Sequence, residues 1–238
     1  MLTSKLKKLL YLAKTGYLVT TERVIPDFPS EVFQNHLKVY KFAQQFSVDK
    51  DVLDSGSGTG YGTAYLADVA KSIVGVDLSK EAIRWAKKRY PHVKYLRMDV
   101  HNLEFADNSF DFVISTENFE HLQNQKRHAA ELARVVRPDG LILLGSPNPE
   151  MTIGEQPNPF HTKENSYEEL LELFSSFFNK VTIIENLLDP PTQLGKEKRE
   201  ERLRRGFKGE PLSAEMDSTW HHNTHSFFCF LREPRKSA

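Results

Sequence analysis

The chain has one cysteine, Cys229, in 238 residues. A lone thiol excludes an internal disulfide framework and paired CxxC metal sites. It fits a reducing compartment, so a cytoplasmic location is the expectation. No apolar run reaches the roughly 18 residues that would mark a membrane-spanning helix. Residues 1–14 lack the long apolar core of a secretory leader. Charge of one sign is missing too. The 32 basic and 32 acidic residues cancel, which argues against wholesale nucleic-acid binding while leaving room for a local basic patch. No internal repeat stands out. At this length, one α/β domain with additions is the default.

What is present centres on Val52-Leu53-Asp54-Ser55-Gly56-Ser57-Gly58-Thr59-Gly60. A short apolar run ends in an acid, glycines follow at alternate positions, and a helix-compatible segment begins at Tyr61. This spells strand, tight turn, helix. Glycines here permit positive φ and let a ligand approach the backbone. The helix beyond offers unpaired N–H groups. A dinucleotide fold wants G-x-G-x-x-G, but the third position falls on Tyr61 counted from Gly56 and on Thr63 counted from Gly58. Asp54 before the loop would repel a pyrophosphate and suits a cation. A ligand with an ammonium, a sulfonium and no phosphate fits better, and S-adenosylmethionine is such a ligand.

Asp54 to Gly60 resembles the first motif of the class I S-adenosylmethionine-dependent methyltransferases. Four further stretches follow in the family's order. Ile73-Val74-Gly75-Val76-Asp77 resembles the second strand with its ribose-binding acid. Met98-Asp99-Val100 resembles the adenine-binding stretch. Phe110 to Ser115 resembles the fourth strand, and Arg137-Pro138-Asp139-Gly140 to Leu144 the turn into the fifth. The likeness covers roughly residues 50–185. It implies a doubly wound, Rossmann-like α/β sheet of seven strands in the order 3-2-1-4-5-7-6, with strand seven antiparallel. It implies cofactor contacts at Asp54, Gly56, Ser57, Gly58, Gly60, Asp77, Leu78, Asp99, Val100 and Glu117. Asp77, 21 positions after Gly56, would take both ribose hydroxyls; its plainer use is to cap the helix at 79–89. Asp99 would accept the adenine amino hydrogen, and the Val100 N–H would donate to a ring nitrogen.

The sequence divides into an N-terminal helical cap, 1–46, and a methyltransferase core, 47–238, with a lid-like insertion at 190–220. Residues 2–14 space five apolar side chains as a helix does, among four lysines. Such a helix covers a cleft or lies on an anionic membrane surface. Arg23 offers a guanidinium for a carboxylate of cofactor or substrate, or a surface ion pair. Ser30 caps a helix over 31–46. Strands are expected near 51–54, 72–76, 93–97, 110–115, 140–145, 180–186 and 225–231. Helices are expected over 61–70, 79–89, 125–136 and 166–177. Residues 196–208 hold seven basic residues and three acids, which makes either a solvated helix or a patch for a phosphate-bearing partner. His221, His222 and His225 suggest a pocket lining or surface caps.

After the fourth strand comes Glu117-Asn118-Phe119-Glu120-His121. On a helical turn, Glu117, Glu120 and His121 would share one face. With His161 from the Asn158-Pro159-Phe160-His161 loop they could hold a hard cation such as Mg²⁺. The arrangement resembles the magnesium site of small-RNA 2′-O-methyltransferases and an element of quinone-biosynthesis O-methyltransferases. The alternative is a metal-free pocket, with Glu117 at the cofactor. His121 or His161 would then take the acceptor's proton. The expected activity is methyl transfer to oxygen of a small molecule or saccharide. Its rivals are a metal-dependent RNA 2′-O-methyltransferase and a non-catalytic S-adenosylmethionine-binding protein. Acceptor identity, O- against N-methylation and oligomeric state are not legible at this level.

Overall fold

Apolar residues at successive positions of short strands dictate a sheet covered on both faces. The computed structural model, which describes residues 24–27, 31–149, 158–185 and 226–235, has that sheet. Helix α1 (Glu31–Ser47) leads into β1 (Asp51–Ser55), α2 (Tyr61–Ala67), β2 (Ser72–Asp77), α3 (Lys80–Arg89) and β3 (Lys94–Arg97). Then come β4 (Phe110–Ser115), a 3₁₀ turn (Phe119–His121), α4 (Gln125–Val135), β5 (Val136–Pro147), α5 (Tyr167–Ser175), β6 (Phe178–Glu185) and β7 (Ser226–Pro234). The strand order is β3-β2-β1-β4-β5-β7-β6. The first five strands run parallel, and β7 lies antiparallel between β5 and β6. Fold class and strand order match the sequence reading.

Side-chain alternation along the strands builds two cores. Val52, Phe112, Ile114, Leu141, Leu143, Phe228 and Phe230 face one side, where Val39, Tyr40 and Ala43 of α1 cover them. Leu53, Val113, Ile142, Leu144, Cys229 and Leu231 face the other, under Ala129 and Leu132 of α4 and Leu170 and Phe174 of α5. Helix α1 is thus a layer of the core. Ser79 caps α3 by accepting the Ala82 N–H at 3.2 Å, and Ser166 forms a reciprocal capping box with Glu169 at α5.

Element ends moved where backbone bonding decided them. Strand β5 starts at Val136, four residues before the expected start at 140, because Val136 pairs with Phe110 and Leu141 with Phe112. The residues between them bulge out, with Gly140 pressed against Val136 and the Asp111 carbonyl. Helix α2 stops at Ala67, where the Val69 and Ala70 N–H groups both turn back to the Leu66 carbonyl. Among the described residues no helix is long and apolar enough to cross a membrane. The readings of residues 1–14, Arg23, Ser30, the 190–220 insertion, the 196–208 charge run and His221, His222 and His225 lie outside the described residues.

Candidate active site at the carboxyl edge of the sheet

Parallel strands place their carboxyl ends, and the loops after them, along one edge. The loop after β1 is folded back over β2. The N–H groups of Gly56 and Ser57 both donate to the Val76 carbonyl, at 2.9 and 2.8 Å. Gly56, Gly58 and Gly60 all have positive φ, at 89°, 52° and 77°. Packing separates their roles. A Cβ on Gly56 would lie 2.6 Å from Asn118, and one on Gly60 would meet Tyr95 and Ala86. A Cβ on Gly58 would meet nothing within 4 Å. Gly58 therefore faces open space at the sheet edge, where a ligand can lie against the backbone.

Asp77 borders that space. Its Oδ2 accepts the Gly58 N–H at 2.9 Å and its Oδ1 accepts the Ser79 N–H at 2.8 Å. The carboxylate thus joins the glycine loop to the start of α3. These bonds orient the group at the loop and cap the helix start. Leu78, next to it, is 60% exposed, an apolar surface beside the loop. Asp99 lies half-exposed after β3. Its Oδ1 accepts from the backbone N–H of His101 at 2.9 Å and lies 2.8 Å from His101 Nδ1. The backbone bond in particular holds this carboxyl below the usual range. Val100 is buried, and its carbonyl lies 3.1 Å from His128 Nδ1.

Asp54 differs from expectation. It is fully buried and does not line the open space. Thr63 Oγ1 donates to its Oδ2 at 2.6 Å, and the Tyr40 hydroxyl stands 3.2 and 3.3 Å from its two oxygens. Tyr40 descends from α1 across Gly62, where a Cβ would lie 2.1 Å from its ring. Burial raises the Asp54 pKa from 3.8 to about 7, and the two hydroxyl donors offset part of that rise. Asp54 ties the loop to α1. The hydroxyls of Ser55 and Ser57 are buried without a hydrogen-bond partner.

The segment after β4 gathers some expected residues and separates others. Phe119–His121 is a 3₁₀ turn, and Glu117 precedes it with φ 49°. That left-handed residue breaks the helical spacing, so Glu117 does not join the Glu120–His121 face. Ligand atoms of Glu120, His121 and His161 lie within 4.8 Å of one another, with Glu117 outside the group. Thr162 and Lys163 N–H groups donate to the Glu120 carbonyl at 2.7 and 3.1 Å, which clamps the turn to the loop after β5. His121 Nδ1 lies 2.9 Å from the Phe160 carbonyl. A carbonyl only accepts, so Nδ1 carries the proton and Nε2 the lone pair. His161 has Nδ1 2.5 Å from Glu164 and Nε2 2.9 Å from the Asn158 amide. The same logic leaves its lone pair on Nε2. The two rings meet edge to face at 5.0 Å. One carboxylate and two imidazoles suit a borderline transition ion better than Mg²⁺, which prefers oxygen ligands. That donor set gives the expected Mg²⁺ no support.

Sequence reasoning missed His36, Tyr61, Thr63 and Asn118. Spacing gave one usable signal, since His36 and Tyr40 stand at i and i+4 on one helix face.

The seven-stranded sheet in this order, with a glycine loop after β1 and an acid closing β2, is the doubly wound α/β arrangement expected from the sequence. Residues 53–144 match the methyltransferase domain family. The chain is 37% identical over 161 residues to a protein named as a probable S-adenosylmethionine-dependent methyltransferase of Mycobacterium tuberculosis, an alignment covering 65% of this chain and 58% of that one. The chain thus spans about three fifths of that relative. Among solved structures, a Pyrococcus horikoshii protein superposes with TM-score 0.63 at 18% identity, over 90% of this chain and 97% of that one. The [4+2]-cyclase SpnF superposes with TM-score 0.61 at 16% identity, over 97% and 95%. Likeness at such identity shows the fold alone, and a fold that also carries a cyclase does not assign the reaction.

Proposed function

We propose that the protein is an S-adenosylmethionine-dependent methyltransferase acting on an oxygen of a small molecule or saccharide. The observation that carries this is the pairing of Gly58, open to the sheet edge, with the Asp77 carboxylate that its own N–H orients. The residues fit the cofactor. The glycine backbone admits it closely, Asp77 suits a diol and Leu78 offers an apolar face. The cofactor supplies an activated methyl on a sulfonium. The chain must then align the acceptor, exclude water and receive one proton.

We infer a further role for Glu120, His121 and His161 as a divalent-cation site. His121 has Nδ1 fixed by the Phe160 carbonyl, the outer-shell arrangement that leaves Nε2 to a metal, whereas the His161 Nε2 lone pair accepts from the Asn158 amide, which a cation would have to displace. A bound cation would hold acceptor oxygens in place. Without one, the imidazoles of this loop would anchor the acceptor by hydrogen bonds.

Isothermal titration with S-adenosylmethionine and S-adenosylhomocysteine tests the reading. Micromolar binding by the wild type, lost in Asp77→Ala, supports it and licenses an acceptor screen with and without EDTA. A folded wild type that binds neither ligand, alone or with acceptors present, overturns it. RNA as the sole methylated acceptor, with binding that weakens steeply in salt, would favour the RNA-directed rival. Cofactor binding with no product from any acceptor would favour a binding protein.

A further inference from the structure

Helix α1 brings His36 to the residue that follows β4. His36 Nδ1 lies 3.0 Å from the Tyr61 hydroxyl, and its Nε2 lies 3.9 Å from Glu117 Oε2. The other Glu117 oxygen accepts from Ser226 Oγ at 3.2 Å. Three elements and a loop meet here: α1, the start of α2, the start of β7 and the segment after β4. Asn118, the next residue, packs on Gly56 of the glycine loop. The pair therefore borders the space assigned to the cofactor.

The geometry differs from that of a structural histidine. His128 supplies the contrast within the same molecule. It is fully buried and its Nδ1 lies 3.1 Å from a carbonyl. The side chains of His36 and Glu117 are 21% and 26% exposed, so a ligand can reach them. Their separation is too long for a hydrogen bond. An oxygen placed about 2.8 Å from each atom would bridge them with ordinary bonds. Glu117 is also held at φ 49°, the left-handed region that a non-glycine residue adopts only against steric resistance. Such strain collects where a side chain has to be aimed.

We propose that the gap between His36 and Glu117 seats the acceptor's reacting hydroxyl and that this pair receives its proton. The proposal rests on the methyl-transfer reading and deepens it. As the acceptor oxygen bonds to the methyl carbon, its O–H bond breaks. The S–C bond breaks with its electron pair left on sulfur. The proton passes to the pair by one of two routes set by Tyr61, whose hydroxyl burial keeps protonated. If Tyr61 donates to Nδ1, Nε2–H holds the acceptor oxygen and Glu117 takes the proton. If Nδ1–H donates to Tyr61, Nε2 takes the proton and Glu117 balances the imidazolium. The ligand class is a hydroxyl acceptor, for which such help counts most. Glu120, His121 and His161 are left to anchor the acceptor or a cation.

The probe is sinefungin, a cofactor analogue with an amine where the transferable methyl group stands. Titrations of sinefungin and S-adenosylhomocysteine are compared in wild type, Glu117→Gln and His36→Lys. The wild type is expected to prefer sinefungin by about tenfold or more, roughly one added charge contact. Glu117→Gln should cut that preference to within about threefold. His36→Lys should weaken sinefungin about tenfold while S-adenosylhomocysteine stays within about twofold, which also shows the variant folded. Equal changes for both ligands, or no change for either, would overturn the assignment. Failure of the wild type to bind S-adenosylhomocysteine would remove the methyl-transfer reading itself, a separate outcome from loss of the sinefungin preference alone.

Discussion

Replacing Asp54 by Asn should stabilise the apo protein at neutral and alkaline pH, by an amount that shrinks in acid. The folded state holds the Asp54 proton up to about pH 7, while the unfolded chain releases it near 3.8. Folding therefore opposes ionisation, and its stability falls as pH rises from 3.8 through 7. The gap between the two values corresponds to about 4 kcal/mol at pH 8 and above. Between pH 5 and pH 8 the change amounts to about 3 kcal/mol. Asparagine keeps the shape, can accept from Thr63 and can donate to the Tyr40 oxygen, but has no charge to desolvate. Urea unfolding of both proteins, followed by circular dichroism at pH 5, 6, 7 and 8, measures the difference. The stability gap should widen by about 3 kcal/mol across that range, a midpoint difference of roughly 1–3 M urea. Parallel pH profiles would show that Asp54 ionises as easily folded as unfolded. The account of a buried acid clamped by Tyr40 would then be wrong.

Other perturbations separate packing from ligand contact. Gly56→Ala places a methyl against Asn118 at a φ of 89° and should cost about 2–3 kcal/mol in thermal or urea unfolding. Gly58→Ala meets open space, so it should cost only about 1–2 kcal/mol for its left-handed backbone while weakening S-adenosylhomocysteine by more than tenfold in titration. His128 has its pKa lowered to about 4, chiefly by burial. The unfolded state thus binds more protons between about pH 6.5 and 4, and the wild type loses about 3 kcal/mol of stability over that fall. His128→Gln should remove that share of acid sensitivity in urea unfolding at pH 4.5 and 7. Because Asp54 and His128 act with opposite signs over overlapping ranges, each slope is read best in its own variant.

The sheet was legible because its strands are short apolar runs separated by turn residues, and a parallel sheet needs no other signal. Ser79 and Ser166 were legible as caps because the residues that complete them lie within three positions. The bulge before Leu141 was not, since it depends on the β4 register 26 residues away. The tight turn at Gly56, Gly58 and Gly60, with its positive φ values, was readable from local spacing. The burial of Asp54 was not readable because its surroundings come from Tyr40, on a helix whose apolar spacing advertises only packing. Glu117, Glu120 and His121 have helical spacing in sequence, yet one positive φ sends Glu117 elsewhere. His36 carried no motif, and its partners Tyr61 and Glu117 lie 25 and 81 positions along the chain.

Tyr40 and His36 show how one helix serves two layers of the site. They stand one turn apart on α1. Tyr40 reaches beneath the glycine loop to Asp54, and His36 reaches past Tyr61 to Glu117. The packing that seats Tyr40 over Gly62 therefore also sets where His36 stands. The family match begins at residue 53 and ends at 144. It takes in the glycine loop, Asp77, Asp99 and the segment after β4, which are the parts suited to the cofactor. His36 lies before it and His161 after it. Relatives can thus share the proposed cofactor half of this site while differing in both walls of the proposed acceptor half. A relative's acceptor is a poor guide to this protein's acceptor unless that relative also has a histidine at the position of His36, a tyrosine at that of Tyr40 and a glycine at that of Gly62.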